Sequence, residues 1–164
     1  MKEAVIVSTA RTGMGKSFRG ALNDTEAPAM GGHAVKAAVE KAGIDPASVE
    51  DVIMGAAAQQ GTQGYNLGRL CSVAAGLPDT TAGMTIDRQC SSGLMTIAWA
   101  AKSIMCDEMD VAVAGGLESI SLVQTKHKNT YRNVSKTVTE IDPTAYIPMI
   151  ETAEIAICAS SRSA

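Results

Sequence analysis

The sequence predicts an α/β domain: a layered fold with a mostly parallel sheet and helices on its faces. Three observations carry that prediction. Short apolar, β-branched runs alternate with stretches of helical spacing, the pattern of repeated βα units. Aromatic residues make up only 3% of the chain, whereas Gly occurs 15 times and Met 9 times. Such a core relies on small residues and close backbone approach, as helices packed on a sheet allow. A length of 164 residues is enough for one domain with its own core.

Taken in order, the elements read as a βαβαβαβ series. Ala4–Ser8 is an apolar run at the start, expected to be a buried strand. Arg11–Leu22 holds Gly13, Gly15 and Gly20 with Arg11, Lys16 and Arg19, and reads as a loop over the top of the sheet or simply as a solvated basic loop. Thr25 is placed to cap the next helix, with Pro28 tolerated in its first turn. Ala34, Ala37, Ala38 and Ala42 follow helical spacing up to Gly43, a natural terminator. Asp51–Ala57 is the second strand, and the Gly- and Gln-rich stretch 59–66 is a loop. Leu67–Ala75 makes a short helix ending at Gly76 and Pro78. Ala82–Ile86 is the third strand. Leu94, Ile97, Ala98, Ala101, Ile104 and Met105 then share one helical face, the i, i+3, i+4, i+7 pattern expected of a buried face. Asp110–Gly115 is the fourth strand, and the polar stretch 124–140 is an excursion from the core.

Composition excludes several classes. Net charge is −3, from 14 basic and 17 acidic residues, so no basic field points to nucleic acid. No apolar run approaches the ~20 residues of a membrane span. Cys71, Cys90, Cys106 and Cys158 show no C-x-x-C spacing, so no zinc site is expected. No secretory leader is visible, and reduced thiols in an intracellular, cytoplasmic setting are the expectation.

The chemistry concentrates in Thr85–Leu94, T-I-D-R-Q-C-S-S-G-L. A cysteine at a strand-to-helix turn is exposed at the carboxyl edge of a sheet, where open α/β folds bind ligands. The positive end of the helix dipole there favours negative charge on the sulfur. Gly93 lets a substrate or a neighbouring backbone come close. Against this stands the ordinary role of cysteine as a small buried hydrophobe, which is the expectation for Cys71 and Cys106. His33, in an Ala-rich helix, and His127, between two lysines, read as surface or capping residues. Glu118 reads as a brace for a strand end, and Asp87 and Arg88 as partners of each other or of nearby loops.

T-I-D-R-Q-C-S-S-G-L, followed by V-A-V-A-G-G-L-E-S-I-S at Val111–Ser121, resembles the thiolase family in both motifs and in their separation. The opening M-K-E-A-V-I-V-S-T-A-R is similar to that family's first strand and Arg-Thr turn. The resemblance runs over roughly residues 1–155 and implies a thiolase-like layered fold, of which this chain holds the N-terminal half. It implies acyl transfer between coenzyme A thioesters through an acyl-enzyme on Cys90, with the Cys90 backbone N–H as an oxyanion donor. It also implies coenzyme A thioesters as substrates with no cofactor, and a homodimer or homotetramer for the complete enzyme. Tyr146–Glu154 resembles a family segment in which the methionine matching Met149 sits near the acyl end of the pocket; Met149 as core filler is the other reading.

The same resemblance divides the chain into a core at 1–121, the start of a substrate-covering loop region at 122–155, and an atypical tail at 156–164. The tail is small and polar, with Cys158 and Arg162, and is expected to be unstructured. The family's histidine motif, its Asn-Glu-Ala-Phe-like motif and its second cysteine before glycine do not occur in these residues. The expectation is therefore an incomplete chain, inactive alone. The alternatives are a non-catalytic dimerisation or binding module and a ketosynthase-type condensing enzyme, the latter disfavoured by the two motifs.

Overall fold

Among the described residues three strands form the sheet, where the sequence pattern predicts four. In the computed structural model, which describes residues 2–161, β1 (Asp51–Gly55), β2 (Ala82–Ile86) and β3 (Ala112–Gly116) lie in the order β2-β1-β3. Both pairings are parallel, with Val52 opposite Gly83 on one side and Val113 on the other. Parallel neighbours require crossovers. α2 (Leu67–Ala74) joins β1 to β2, and α3 (Ser92–Met105) joins β2 to β3. The strands lie within the expected runs or one residue beyond them.

The missing strand is Ala4–Ser8. The segment makes no ladder bonds, and Val5, Ile6 and Val7 are 68%, 75% and 73% exposed. It is tied at its two ends. Lys2 Nζ pairs with Asp107 and Asp110, and Lys41 Nζ donates to the Thr9 carbonyl at 3.3 Å. A strand is defined by its neighbour, and among the described residues β3 is paired only with β1. A β-branched run specifies an extended backbone; it cannot supply the partner.

Both faces of the sheet are covered. α1 (Ala27–Ala42) packs on α2, with Gly31 leaving room for the Cys71 sulfur and the Leu117 side chain. Val52, Met54, Val35, Leu67 and Cys71 join the core beneath these two helices. Ile53, fully buried, takes the opposite face by strand alternation, which α3 covers. α1 ends on Gly43, whose φ of 67° is the left-handed conformation of a helix C-cap. Its start differs from expectation. Glu26, not Thr25, holds the N-cap position, without a side-chain bond, and the Ala27 N–H donates to Thr62 Oγ1 at 2.8 Å. A loop hydroxyl from elsewhere in the chain thus does the capping.

The chain divides into two units, the first running through Lys128 and the second from Asn129. The second holds α5 (Lys136–Ile141) and α6 (Met149–Ser161); the short α4 (Ile120–Val123) belongs to the first. Ser135 caps α5 by accepting from the Val138 N–H. The expected unstructured tail is helical through Ser161, since Ala and Ile within I-A-I-C-A are compatible with helix continuation. Arg162 lies outside the described residues. Among the described residues no helix is long and apolar enough to cross a membrane.

Candidate active site

Two glycines bring α3 down onto the carboxyl edge of the sheet. A Cβ at Gly55, the last residue of β1, would stand 2.5 Å from the Ser92 carbonyl carbon and 2.6 Å from the Gly93 nitrogen. A Cβ at Gly116, the last residue of β3, would stand 2.9 Å from the Gly93 Cα. Those contacts are backbone against backbone, so no side-chain rearrangement relieves them. The bare residues the packing demands are therefore Gly55 and Gly116, while Gly93 faces Gly116 at ordinary distance. Thr96 Oγ1 lies 2.7 Å from the Gly93 carbonyl and 2.9 Å from the Gly115 carbonyl, and fixes the same junction from the side.

The turn between β2 and α3 is held by its own side chains. Asp87 Oδ1 accepts the Gln89 N–H at 2.7 Å, an Asx-type bond to the residue two further on. Gln89 has φ of 49°, a left-handed conformation uncommon for a residue with a Cβ. Ser92 Oγ, nearly buried, accepts the Arg88 N–H at 2.8 Å and donates to the Gln89 carbonyl at 2.6 Å. Ser91 Oγ donates to the Arg88 carbonyl at 2.9 Å. Asp87 thus serves the turn. Cys90 sits in the middle of this lattice, exposed, one residue before the N-cap Ser91.

Cys90 opens on a cleft of about 1140 Å³ in the first unit. Its walls come from the Arg11–Asn23 loop, the segments that follow β1 and β3, and the first turns of α3. The basic loop is anchored there, with the Phe18 N–H donating to Ser121 Oγ at 2.8 Å. Glu118 is the cleft's carboxylate, and both its oxygens are engaged. Oε2 accepts the Ala57 N–H at 2.9 Å; Oε1 accepts the Ala58 N–H at 3.2 Å and the Gln63 Nε2 at 2.7 Å. The expectation of a brace at a strand end matches this geometry.

Gln63 escaped the sequence reading. It lies in a short turn, Gly61–Gln63, within the stretch expected to be a loop, yet it is fully buried. Three glutamines in a polar run give no periodicity from which to pick the buried one. Cys71 is buried as expected, and desolvation pushes its thiol up to about 12. Cys106 is not: it is exposed as the C-cap residue that follows the last turn of α3. The face of α3 that is buried is Ser92, Thr96, Ala100 and Ser103, small side chains that allow close approach to the sheet, while Leu94, Ile97 and Met105 of the face expected to be buried are exposed. His33 and His127 are both exposed, and neither lines the cleft. Met149 is the first residue of α6 in the second unit and is 71% exposed. Among the described residues no group of three or more His, Cys, Asp or Glu side chains is placed to hold a metal ion.

Fold and cleft together define an α/β domain that presents an exposed thiol, in a locked turn, at the carboxyl edge of a parallel sheet. The chain belongs to the thiolase family: the family model for the thiolase N-terminal domain matches residues 4–161. It is 42% identical over 154 residues to a 3-ketoacyl-CoA thiolase of Bacillus subtilis (strain 168), covering 94% of this chain and 39% of that protein. An acetyl-CoA acetyltransferase of Escherichia coli (strain K12) is 41% identical over 136 residues, 80% of this chain and 34% of the relative. One from Cupriavidus necator is 44% identical over 121 residues, 74% of this chain and 30% of the relative. The chain spans between 30% and 39% of the length of these curated relatives.

Proposed function

We propose that this chain supplies the nucleophilic part of an acyl transfer between coenzyme A thioesters, with Cys90 as acyl acceptor. The observation that carries the reading is the exposed Cys90 sulfur in a bonded turn at the mouth of a cleft. In the cleavage direction the Cys90 thiolate attacks the 3-keto carbon of a 3-ketoacyl-CoA, and the bond between the 2- and 3-carbons breaks. The acyl group stays on the sulfur, and the acetyl-CoA carbanion takes up a proton. Coenzyme A thiolate then attacks the acyl-enzyme, releasing acyl-CoA and restoring Cys90. Met149 at the acyl end of the pocket, residues 1–121 as the core, 122–155 as the start of a substrate-covering region and 156–164 as an atypical tail belong to the same proposal. So do a homodimer or homotetramer for the complete enzyme and a cytoplasmic setting, which suits the unpaired thiols of Cys71, Cys90 and Cys106.

The cycle also needs a base and oxyanion donors. The oxygens of Glu118 point at backbone N–H groups, and neither histidine lines the cleft. A positioned base contributes about 10²–10⁴-fold, and an oxyanion donor about 10²–10³-fold. The expected result with acetoacetyl-CoA is therefore slow, single acetylation of Cys90, detected as a mass increment on that residue, without sustained acetyl-CoA formation when coenzyme A is added. Sustained turnover that vanishes in Cys90→Ala would show that these residues suffice. Absence of any Cys90 adduct in folded chain would sink the acyl-transfer reading.

A second reading, a non-catalytic binding module, is favoured by one observation: Leu94, Ile97 and Trp99 on α3 are exposed. Self-association of the Cys90→Ala chain, measured by sedimentation, would favour it only in the absence of an adduct on the parent chain.

A further inference from the structure

We propose that Glu118 and Gln63 act as a positioning pair that sets the wall of the Cys90 cleft, and thereby the access of a long thioester to the sulfur. The inference rests on the acyl-transfer reading only for the identity of that thioester.

The pair ties together two segments that the sheet itself does not join. β1 and β3 are neighbours as far as Gly55 and Gly116, and beyond those residues the ladder ends. Glu118, two residues past β3, reaches across to the N–H groups of Ala57 and Ala58, two and three residues past β1. Gln63 closes the link from behind. Its Nε2 donates to the Ala58 carbonyl at 3.0 Å and to Glu118 at 2.7 Å, and its Oε1 accepts the Ser119 N–H. The amide is fully buried with donors and acceptor matched, an arrangement that is costly to leave half-made. Ala57, Ala58, Glu118 and Ser119 all line the cleft that Cys90 lines. The two residues thus fix the backbone of Ala57, Ala58 and Ser119 in this part of the wall. With its oxygens on three donors, Glu118 acts through the backbone.

The test uses the 164-residue chain and three reagents at Cys90, followed by intact-mass and peptide analysis. Iodoacetamide needs only an exposed sulfur; fluorescein maleimide and acetoacetyl-CoA must fit the cleft. Glu118→Gln keeps the size but replaces an acceptor oxygen with an NH2 donor, so at least one of the three bonds is lost. The expected result is an iodoacetamide rate changed by no more than about twofold and both bulky reagents slowed roughly tenfold or more, since a ~1 Å misplacement is worth up to about 10² in rate. Glu118→Asp, which keeps two acceptor oxygens on a shorter arm, is expected to fall between, and carries the comparison should the amide variant not fold. Equal change with all three reagents, or no change, overturns the pair's role. If the parent chain takes iodoacetamide and maleimide but is never acylated, the acyl-transfer reading fails. The positioning pair is then decided by the maleimide-to-iodoacetamide ratio alone.

Discussion

The turn at 87–92 follows the β-branched end of β2, and the segment at 2–9 carries a β-branched run of its own, so extended backbone is favoured at both places. They end very differently. In the turn, Asp87, Ser91 and Ser92 each bond a backbone group within four residues, and the glycines of β1 and β3 seat the following helix. Even a non-glycine φ of 49° at Gln89 is held. Among the described residues the segment's polar bonds are those of Lys2 and Thr9 near its ends, and Val5, Ile6 and Val7 in its middle face solvent. The difference is one of where the partners come from. Local side chains close the turn, so its shape follows from its own residues; the segment needs a neighbouring strand that its own residues cannot provide.

The sharpest way to break that contrast is at the seat of the turn. Gly55→Ala places a Cβ against the backbone of Ser92 and Gly93, and helix and strand must separate. Overpacking of this kind costs about 3 kcal/mol or more when backbone has to move. The expected result is a large drop in the urea midpoint with slower labelling of Cys90 in whatever remains folded. An unchanged midpoint would mean that α3 does not rest on β1 as described. Ser92→Ala is milder. It strips the acceptor from the Arg88 N–H and the donor from the Gln89 carbonyl, at a cost of about 2 kcal/mol for groups left unmatched. A loss below ~0.5 kcal/mol would show that water replaces the hydroxyl.

These residues also mark what the sequence makes legible. The β2–turn–α3 unit could be read because strand, turn chemistry and helical period agree at consecutive positions. Gly43 as a C-cap and Glu118 as a brace are legible for the same reason, each being a residue type with one physical use at that place. The segment Ala4–Ser8 reads as a strand and is not one, because a continuous apolar, β-branched run reports extension but not pairing. Gln63 was missed because its burial depends on Glu118, 55 residues away, and nothing in Q-G-T-Q-G signals that distance. Apolar neighbours suggest burial for Cys106, yet it is the C-cap beyond the last turn of α3. The apolar period likewise points to Leu94, Ile97 and Met105 as the buried face, whereas close seating of the helix on the glycines of the sheet selects Ser92, Thr96, Ala100 and Ser103.

A third, smaller effect lies beneath the turn, in the core shared by α1, α2 and β1. Burial raises the Cys71 thiol from its ordinary 9.0 to about 12. The folded chain therefore keeps a proton that the unfolded chain gives up, and the sign follows. The contribution is fully present below pH 9 and is lost as pH rises toward 12. Between pH 9 and about 10.5, stability is expected to fall by on the order of 1.5 kcal/mol, at a limiting slope of about 1.4 kcal/mol per pH unit. The check is a series of urea midpoints against pH for the parent and for Cys71→Ala. A variant that loses stability just as steeply over this interval would assign the fall to other groups.

The smallest effect on stability is expected in the segment itself, and there the consequence is in association. Ile6 is 75% exposed with exposed valines on both sides, and β3 offers an edge that is unpaired among the described residues. An exposed apolar β-branched run and an open parallel edge in one chain are a template for strand addition between molecules. Natural sheets blunt such edges with charge, and Lys is the usual choice. Ile6→Lys should therefore change the urea midpoint by no more than about 0.5 kcal/mol, as exposed substitutions do, while lowering the weight-average mass in sedimentation equilibrium at equal concentration. The two readouts separate the two ideas about this segment. If Ile6→Lys destabilises the chain by more than ~1 kcal/mol, Ile6 is packed in solution and the exposed description is wrong. If stability is unchanged and the mass stays above that of the monomer, association runs instead through Leu94, Ile97 and Trp99 on α3, and a Leu94→Lys variant becomes the one that should disperse it; a monomeric mass for the parent chain sinks the strand-addition idea.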